Sequence, residues 1–304
     1  MQNETSQPAA GECPRDYLRR ILTFETLDHC PVCGSDATAF AFSKRDDFLE
    51  IGFDIHRCAD CTAHFVNPRV ARKHLHDLYA DSYYKGENWD SDTNYLANYD
   101  SAERLAELKR MYVKYYELMR ARIGKPAPRI LDAGAGLGLF AQAVREHHPE
   151  ADIVALDPSA FAVEHLRSLG LQAVHSELET YEADAPFDGV FMREVLEHLY
   201  DPKLAVMQIA RQLKPGGLFF YTTGNTDEIA DLHGWGYVRP VGHIVYYNPR
   251  SAERLLRDCG LAPYPRELLR LGARRKIGGA FKWLAGRLGL RSRELPVGLR
   301  RPGA

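Results

Sequence analysis

The second half of the chain alternates short apolar runs with helical patterns of apolar residues. The first helix of this half is predicted from about Ser101 to Ile123, and a late helix is predicted from Ser251 to Cys259, before Gly260. Because strands that alternate with helices form parallel sheets, the pattern predicts an α/β fold with a doubly wound sheet. The apolar runs predict its strands near residues 129–133, 152–157, 171–175, 187–192 and 217–223.

The first half has a different pattern, with short aromatic runs and few helical repeats. Phe40, Phe42 and the segment Phe48–Ile55 predict the strands of a small ribbon, and residues 71–85 predict a helix. Prolines at the ends of these segments indicate boundaries, because proline forces the preceding residue out of helical geometry. We therefore divide the chain into a lead-in (1–28), a ribbon (29–68), a helical connector or lid (69–124), a core (125–269) and a tail (270–304).

Composition is that of an ordinary globular protein, with 45% hydrophobic and 26% charged residues. The N-terminal segment has neither a basic start nor an apolar centre, so no signal peptide is expected. No apolar run approaches the roughly 20 residues that a membrane-spanning helix needs. The sequence therefore predicts a cytoplasmic protein.

The net charge of −2 is unevenly distributed. Residues 270–304 contain ten basic residues and one acid, a net charge of +9, whereas residues 1–269 carry −11. Apolar residues of the tail also share one helical face, a basic amphipathic pattern that suits an anionic membrane surface. Such a contact would place the protein at the inner membrane face, and packing of the same apolar face on the core is the alternative. The apolar face of the tail consists of Ile277, Phe281, Leu284 and Leu288.

A glycine-rich turn follows the first predicted core strand. Asp132 ends that strand, and Gly134, Gly136 and Gly138 follow at alternate positions before a helical pattern begins. Such a turn lets a ligand approach the backbone closely, and the helix start offers free N–H groups. The spacing differs from the Gly-x-Gly-x-x-Gly pattern of nicotinamide-binding turns, and the preceding acid suits a cationic amino group. Asp157 ends the second strand, where an acid can accept hydrogen bonds from ribose hydroxyls.

With two further motifs, the chain resembles the class I S-adenosylmethionine-dependent methyltransferases. The segment Pro186–Leu199 is similar to the fourth strand of that family and the helix after it, and Leu213–Tyr221 is similar to the turn into the fifth strand. The resemblance implies a Rossmann-like sheet and S-adenosylmethionine as cofactor. It places Asp132 at the methionine end, the three glycines along the cofactor and Asp157 at the ribose. Around these, it implies adenine contacts by Glu177 and Leu178 and a methionine contact by Arg193, with a solvated loop acid as the alternative for Glu177.

The sheet of this family normally closes with a sixth strand and an antiparallel seventh. The segments His243–Tyr247 and Leu261–Leu268 have suitable patterns, but the tail from Leu271 offers no convincing further strand. We therefore expect the last strand to be missing or rearranged.

Residues for the chemical step are sought near the fourth and fifth strands. Because an oxygen nucleophile needs a proton acceptor, histidine is the usual choice, and His198, His233 and His243 are candidates. His243 is preferred as the general base, although each histidine can instead be structural. Met192-Arg-Glu-Val195 replaces the Asn/Asp-Pro-Pro-Tyr motif of base N-methyltransferases, which disfavours that reaction.

The segment Glu194-Val-Leu-Glu-His198 also resembles a Glu-x-x-Glu-His pattern of some O-methyltransferases. In ubiquinone-pathway and small-RNA 2′-O enzymes, these residues hold a divalent ion against the acceptor hydroxyl. The same letters occur across the wider family as helix-start residues without a metal, and this second interpretation is preferred here.

Four cysteines form two Cys-x-x-Cys pairs in the predicted ribbon. Cys30 and Cys33 make the first pair, and Cys58 and Cys61 make the second. Two such pairs are typical of a tetrahedral zinc site, and four thiolates leave no open position for catalysis. Redox pairs and disulfides are the alternatives, and structural Zn²⁺ is preferred.

The ribbon followed by this core resembles bacterial methyltransferases of glycan and secondary-metabolite pathways. Our first hypothesis is therefore O-methylation of a sugar-containing or other small metabolite. The second is an rRNA or tRNA methyltransferase that binds RNA through the zinc ribbon and basic tail, although the acidic balance of residues 1–269 disfavours broad contact with phosphates. The third is a non-catalytic, cofactor-binding interaction module.

Overall fold

The computed structural model describes residues 11–89 and 101–263 and the backbone of residues 298–300. Tyr95 and Tyr99 of the predicted lid, and the apolar face of the tail, lie outside the described residues. Among the described helices, none is both long and apolar enough to cross a membrane.

The N-terminal part is built from short strands and one helix. The elements are α1 (Pro14–Ile21), β1 (Phe24–Glu25), β2 (Thr38–Arg45), β3 (Gly52–Cys58), β4 (His64–Val66) and β5 (Arg69–Val70). Strand β4 pairs with β3, and β3 pairs with β2, all antiparallel, as the ribbon prediction requires. The small strands β1 and β5 pair with each other.

The connector is less regular than predicted. Instead of one helix over residues 71–85, it forms a 3₁₀ turn (Arg72–His74) and the short helices α2 (Leu75–Leu78) and α3 (Asp81–Tyr84). Ala80 lies between them in an extended conformation with ψ 175°, which breaks the helical hydrogen bonding.

A long helix, α4 (Ala102–Ile123), follows as predicted. The hydroxyl of Ser101 accepts a hydrogen bond from the N–H of Arg104 and caps its start, and Gly124 ends it with φ 75°. Tyr116 and Met119 of this helix are fully buried against the core sheet. Burial of side chains of this size contributes about 1.5–3 kcal/mol each.

The core sheet contains the five predicted parallel strands. Each strand pairs in parallel with its neighbour, and helices connect them. In chain order the elements are β6 (Arg129–Ala133), α5 (Leu139–His147), β7 (Asp152–Asp157), α6 (Ala160–Ser168), β8 (Gln172–His175), β9 (Phe187–Arg193), α7 (Pro202–Gln212) and β10 (Leu213–Thr222).

The last elements are β11 (Val245–Tyr246), α8 (Pro249–Asp258), β12 (Leu261–Pro263) and β13 (Gly298–Arg300). Strand β13 lies antiparallel between β10 and β12, so the sheet order is β12-β13-β10-β9-β6-β7-β8. The expectation of a missing last strand was therefore wrong. A three-residue strand carries too short an apolar pattern to be recognised.

Strand β11 does not join the core sheet, contrary to the expectation for His243–Tyr247. It pairs antiparallel with β4, so the ribbon sheet has the order β11-β4-β3-β2. A segment of the core thus completes the sheet of the N-terminal module, and the two parts share one hydrophobic core.

Candidate functional site

A cavity of about 490 Å³ opens at the carboxyl ends of the parallel strands. Its walls come from three parts of the chain: the strand ends of the core, the connector before α4 together with α4 itself, and residues 235–243. Ligands of open α/β sheets bind at this edge.

The carboxyl group of Asp132 borders the cavity and is nearly fully buried. Its Oδ2 has no hydrogen-bond partner among the described residues. Burial, together with the charge of Asp157, raises the pKa of Asp132 to about 8. An unpartnered buried carboxyl is costly, and a cationic ligand group would satisfy it. The site therefore fits a ligand such as the amino group that the resemblance implies.

The glycine turn packs tightly between β6 and α6. Gly134 has φ 73°, and a Cβ there would lie 2.4 Å from a methyl carbon of Val195. Gly134 and Gly136 line the cavity, as predicted for cofactor contacts. Gly138 is not among the residues that line it. A Cβ at Gly138 would lie 2.2 Å from Leu166, so this glycine is needed for close packing of α5.

Asp157 holds the turn in place from the end of β7. Its carboxylate accepts hydrogen bonds from the N–H groups of Gly136 (2.8 Å) and Ser159 (2.9 Å). The hydroxyl of Tyr84, from the connector, donates to the same carboxylate at 3.2 Å. Burial raises the pKa of Asp157, and these hydrogen bonds oppose the rise.

The connector contacts one of the residues that were predicted to border the adenine. Glu177 and the buried Leu178 line the cavity after β8. The guanidinium of Arg72 pairs with Glu177 and also reaches Glu179 at 3.2 Å. Glu177 is therefore a paired side chain rather than the solvated loop acid of the alternative interpretation.

Arg193 ends β9 and faces α4. Its guanidinium donates to the hydroxyl of Tyr112 at 3.0 Å and lies over the same ring at 5.5 Å from the centroid. Helix α4 thus forms one wall of the cavity beside the strand that carries Arg193.

The predicted catalytic residues meet at the other end of the cavity. Glu194, His198 and His243 all line it. The rings of His198 and His243 are 4.6 Å apart between centroids. His233 is exposed, packs on Phe42 and is not among the lining residues, so the structure does not bring it to this site.

Hydrogen bonds to backbone carbonyls fix the tautomers of the two histidines. Nδ1 of His243 lies 2.6 Å from the carbonyl oxygen of Tyr237, and Nδ1 of His198 lies 2.9 Å from that of Gly242. Because a carbonyl only accepts, both Nδ1 atoms carry the proton and each neutral ring has its lone pair on Nε2. Tyr79 of the connector also contacts Nδ1 of His198, at 2.9 Å.

Glu197 is fully buried near these two histidines. Its Oε1 accepts a hydrogen bond of 2.5 Å from the hydroxyl of Tyr237, and its Oε2 has no partner among the described residues. Burial and the charge of Glu194 raise the pKa of Glu197 to about 8. Ligand atoms of Glu197, His198 and His243 lie within 4.8 Å of one another, a spacing that can hold a metal ion.

Glu194 begins this segment in a strained backbone conformation. Its φ is 53°, in the left-handed region, and its N–H donates to the carbonyl of Thr222. Its carboxylate also accepts from the hydroxyl of Thr222 at 3.1 Å. Such strain is found at functional sites, where the surrounding structure holds it.

The four cysteines of the ribbon form one cluster. The Sγ atoms of Cys30 and Cys61, and those of Cys33 and Cys58, are 3.6 Å apart, and all four lie within 4.8 Å of one another. Disulfide sulfurs would be about 2.05 Å apart. A tetrahedral zinc site with Zn–S bonds of about 2.3 Å places its sulfurs roughly 3.8 Å apart, which the cluster fits. Cys13 and Cys259 are free thiols outside this cluster.

Several residues that contact the predicted site residues were not predicted from the sequence. They are Arg72, Tyr79 and Tyr237, which no motif marks. Tyr84 lies in the segment predicted as a connector or lid, with no indication that it would reach Asp157. The only available signal was the density of aromatic residues in the connector and after β10.

The chain is similar in sequence to known methyltransferases. Ubiquinone biosynthesis O-methyltransferase of Xanthomonas campestris pv. campestris (strain B100) is 30% identical over 167 residues, 52% of this chain and 66% of the relative. The protein of that name from Azoarcus sp. (strain BH72) is 31% identical over 179 residues, 54% of this chain and 76% of the relative. The chain thus spans just under two thirds of the Xanthomonas protein.

Among solved structures, the plantazolicin methyltransferase BpumL in complex with a triazolic desmethylPZN analog and SAH aligns with a TM-score of 0.49. It is 14% identical, and the alignment covers 75% of this chain and 96% of that one. A family model described as "Methyltransferase domain" matches residues 101–264. Because this match covers more than half of the chain, the protein belongs to the methyltransferase domain family.

Proposed function

We propose that this protein is an S-adenosylmethionine-dependent O-methyltransferase that acts on a hydroxyl of a sugar-containing or other small metabolite. One observation carries the proposal: a single cavity is lined by the buried acids Asp132 and Asp157 and by His198 and His243, which cluster with Glu197. The first end suits a cationic cofactor with a ribose, and the second suits removal of a proton from an acceptor. The names of the relatives support oxygen as the methylated atom.

In this proposal the residues of the cavity bind and orient the cofactor. Asp132 faces its amino group, Asp157 accepts from the ribose, and Glu177 with Leu178 borders the adenine. Arg193 lies beside the methionine portion. The cofactor supplies the electrophilic methyl group, so positioning of the acceptor oxygen in line with it provides much of the acceleration.

His243 is the proposed general base. With its proton held on Nδ1 by the Tyr237 carbonyl, Nε2 accepts the proton of the acceptor hydroxyl as the O–CH₃ bond forms. A cofactor bound in this cavity would supply the methyl group, and its sulfur would keep the electron pair of the broken S–CH₃ bond as a neutral thioether.

A second candidate mechanism follows from the metal-like spacing of Glu197, His198 and His243. A divalent ion held there would act as a Lewis acid on the acceptor hydroxyl. Turnover by zinc-loaded protein that rises with added Mg²⁺ and is lost in Glu197→Gln supports this mechanism. Turnover that is independent of Mg²⁺ supports the histidine base alone.

We further propose that the Cys30, Cys33, Cys58 and Cys61 cluster holds a structural Zn²⁺. Four thiolates complete a tetrahedral shell, so the ion would supply folding energy and no chemistry. Elemental analysis is expected to give about one zinc per chain from this site. A fully folded preparation without metal contradicts the assignment.

The function is tested in two steps. Calorimetry should give binding of S-adenosylmethionine and of its demethylated product, and no binding of NAD. Asp157→Asn should weaken cofactor affinity by about 10–100-fold, since a hydrogen bond to a charged group contributes about 1.5–3 kcal/mol. Glu182→Gln, at an exposed acid outside the cavity lining, is the matched control and should bind like wild type.

The acceptor is then sought by transfer of labelled methyl from the cofactor into fractionated cell extract. Label in an alkali-stable small-molecule fraction supports the proposal. Label in RNA, with binding that falls steeply with salt, supports the RNA methyltransferase alternative. Cofactor binding without transfer into any fraction supports the non-catalytic module.

A further inference from the structure

Tyr237 lies between β10 and β11, in the wall of the cavity, and is buried. It contacts two of the residues that the proposed function uses, through two different groups. The hydroxyl reaches Glu197, and the carbonyl oxygen reaches His243.

The hydroxyl of Tyr237 contacts Glu197, Gly224 and Thr223. It donates to Oε1 of Glu197 at 2.5 Å, accepts from the N–H of Gly224 at 2.8 Å and lies 3.0 Å from the hydroxyl of Thr223. The N–H of Gly224 can only donate, so it meets a lone pair of the hydroxyl oxygen and leaves the proton for Glu197. This geometry fixes one oxygen of a carboxyl whose other oxygen has no partner among the described residues.

The main chain and ring of Tyr237 fix His243. The carbonyl accepts from Nδ1 at 2.6 Å, and the two rings lie 4.4 Å apart between centroids. The tyrosine ring also stacks on Trp235, with 4.6 Å between ring centroids. A Cβ at Gly224 would lie 2.4 Å from the same ring, so only glycine lets the ring lie this close to the end of β10.

We propose that Tyr237 is a positioning residue of the transfer site, which orients Glu197 through its hydroxyl and His243 through its carbonyl oxygen. This inference rests on the proposed function, because it assigns Tyr237 to the acceptor end of that cavity. Tyr237 itself transfers no proton and makes no bond to the methyl group. It sets where the carboxyl and the imidazole lie when the acceptor binds.

Simple packing is the competing explanation, and Tyr246 provides the matched control. Tyr246 is also buried and lies on β11, but its hydroxyl has no hydrogen-bond partner among the described residues. Tyr246→Phe should therefore leave both turnover and cofactor affinity within about twofold of wild type. Tyr237→Phe keeps the ring, its stack on Trp235 and the carbonyl, and removes only the hydroxyl.

The kinetic test compares these two variants in the extract fraction that accepts methyl from wild type. We expect Tyr237→Phe to lower kcat at least about tenfold, while KM for S-adenosylmethionine stays within about twofold. A kcat equal to that of Tyr246→Phe overturns the inference. An equal loss in kcat and in cofactor affinity also overturns it, since that pattern indicates a general loss of structure.

A double-mutant cycle tests whether Tyr237 acts through Glu197. If it does, Tyr237→Phe combined with Glu197→Gln should reduce kcat no further than the more damaging single change. If the kcat losses of the two single changes multiply in the double variant, this part of the inference is overturned. Melting curves of all three variants establish that each is folded.

A spectroscopic measurement separates this inference from the proposed function. In long-range ¹H–¹⁵N spectra, wild type and Tyr237→Phe should both give the Nδ1-protonated tautomer for His243, because both keep the main-chain carbonyl that accepts from Nδ1. The Nε2-protonated tautomer in wild type overturns the role of Tyr237 toward His243. If wild type transfers no methyl to any fraction, the proposed function fails, and this spectrum still decides whether Tyr237 positions the imidazole.

Discussion

The side-chain amide of Asn248 donates a hydrogen bond of 2.8 Å to the hydroxyl of Thr62, across 186 residues of sequence. Thr62 follows Cys61 in the second cysteine pair and has φ 67°, where the first pair has Gly34 with φ 76°. Asn248 caps helix α8 of the core through a reciprocal pair of hydrogen bonds with Ser251. The cysteine cluster and the core are therefore joined directly.

Backbone hydrogen bonds also connect the ribbon sheet to the candidate active-site residues. The N–H of Val66, on β4, donates to the carbonyl of Ile244, and the N–H of Ile244 donates to the carbonyl of Glu197. His243 precedes Ile244 in the chain. A path of backbone hydrogen bonds thus leads from the ribbon sheet to the residues at the acceptor end of the cavity.

We predict that loss of the cysteine site destabilises the whole protein. Cys58→Ser removes a ligand of the proposed zinc, and we expect a loss on the order of 4 kcal/mol in the free energy of unfolding. Cofactor affinity should fall in the same variant, because Arg72 and Tyr84, in the segment that follows the ribbon, contact Glu177 and Asp157 of the cavity. Calorimetric melting and titration with S-adenosylmethionine measure both quantities.

Cys259→Ser is the matched control, since Cys259 is a buried free thiol outside the cluster. It should retain the metal and the cofactor affinity of wild type. Two separate melting transitions in Cys58→Ser, with the core transition and the cofactor affinity unchanged, would contradict the predicted coupling.

The sequence predicts the parts of this fold whose pattern lies within one element or one short motif. The five core strands and helix α4 follow from apolar periodicity within single elements, and they were predicted within a few residues. The cysteine pairs and the glycine turn are local motifs with strict spacing. Strand β13 was missed because its three residues are identified only by their pairing with β10 and β12.

The same distinction applies to the site. His198 and Glu194 were found because they belong to one motif after β9. The contacts of Tyr79 with His198 and of Arg72 with Glu177 span more than 100 residues, and no local pattern encodes them. Gly138 belongs to the motif yet serves packing against Leu166, because a glycine pattern does not state which neighbour needs the space.

We predict a characteristic pH dependence for Asp132. Its pKa is about 8 in the folded protein against an ordinary value of 3.8, so the folded state favours the protonated carboxyl. Through this group, the stability of the ligand-free protein should therefore fall as pH rises from about 4 to about 8. Asp132→Asn should remove that part of the fall, which denaturant melts at several pH values measure.

Cofactor binding should depend on pH in the opposite direction. A cationic ligand prefers the ionised form of Asp132, so affinity should rise between about pH 6 and 8, by at most about tenfold per pH unit. Asp132→Asn should bind more weakly and with a flatter pH profile. If Asp132→Asn keeps the affinity of wild type and the same dependence of affinity on pH, Asp132 does not contact the cofactor.

For His243 we predict a loss of turnover without a loss of cofactor binding. His243→Ala should lower kcat by about 10²–10⁴-fold, the usual contribution of a general base, and leave the dissociation constant of S-adenosylmethionine within about twofold. His233→Ala is the control, because this exposed histidine does not line the cavity. Equal turnover by the two variants would exclude His243 as the base.

The final prediction separates the strand at the end of the chain from the basic residues before it. Pro263 and Gly298 are register partners on β12 and β13, so their Cα atoms lie close enough for a short hairpin to join them. Replacing residues 264–297 by a loop of about four Gly and Ser residues removes eight of the ten basic residues of the tail and keeps β13. Complete deletion of residues 271–304 removes β13 as well.

We expect the loop variant to melt close to wild type and to bind S-adenosylmethionine normally. The full deletion should melt at a lower temperature, because it exposes the edges of β10 and β12. If the tail contacts anionic membranes, sedimentation with vesicles that contain phosphatidylglycerol should occur for wild type and be lost in the loop variant. Equal sedimentation by both proteins excludes that role, whereas loss of salt-sensitive RNA binding in the loop variant would instead favour an RNA acceptor.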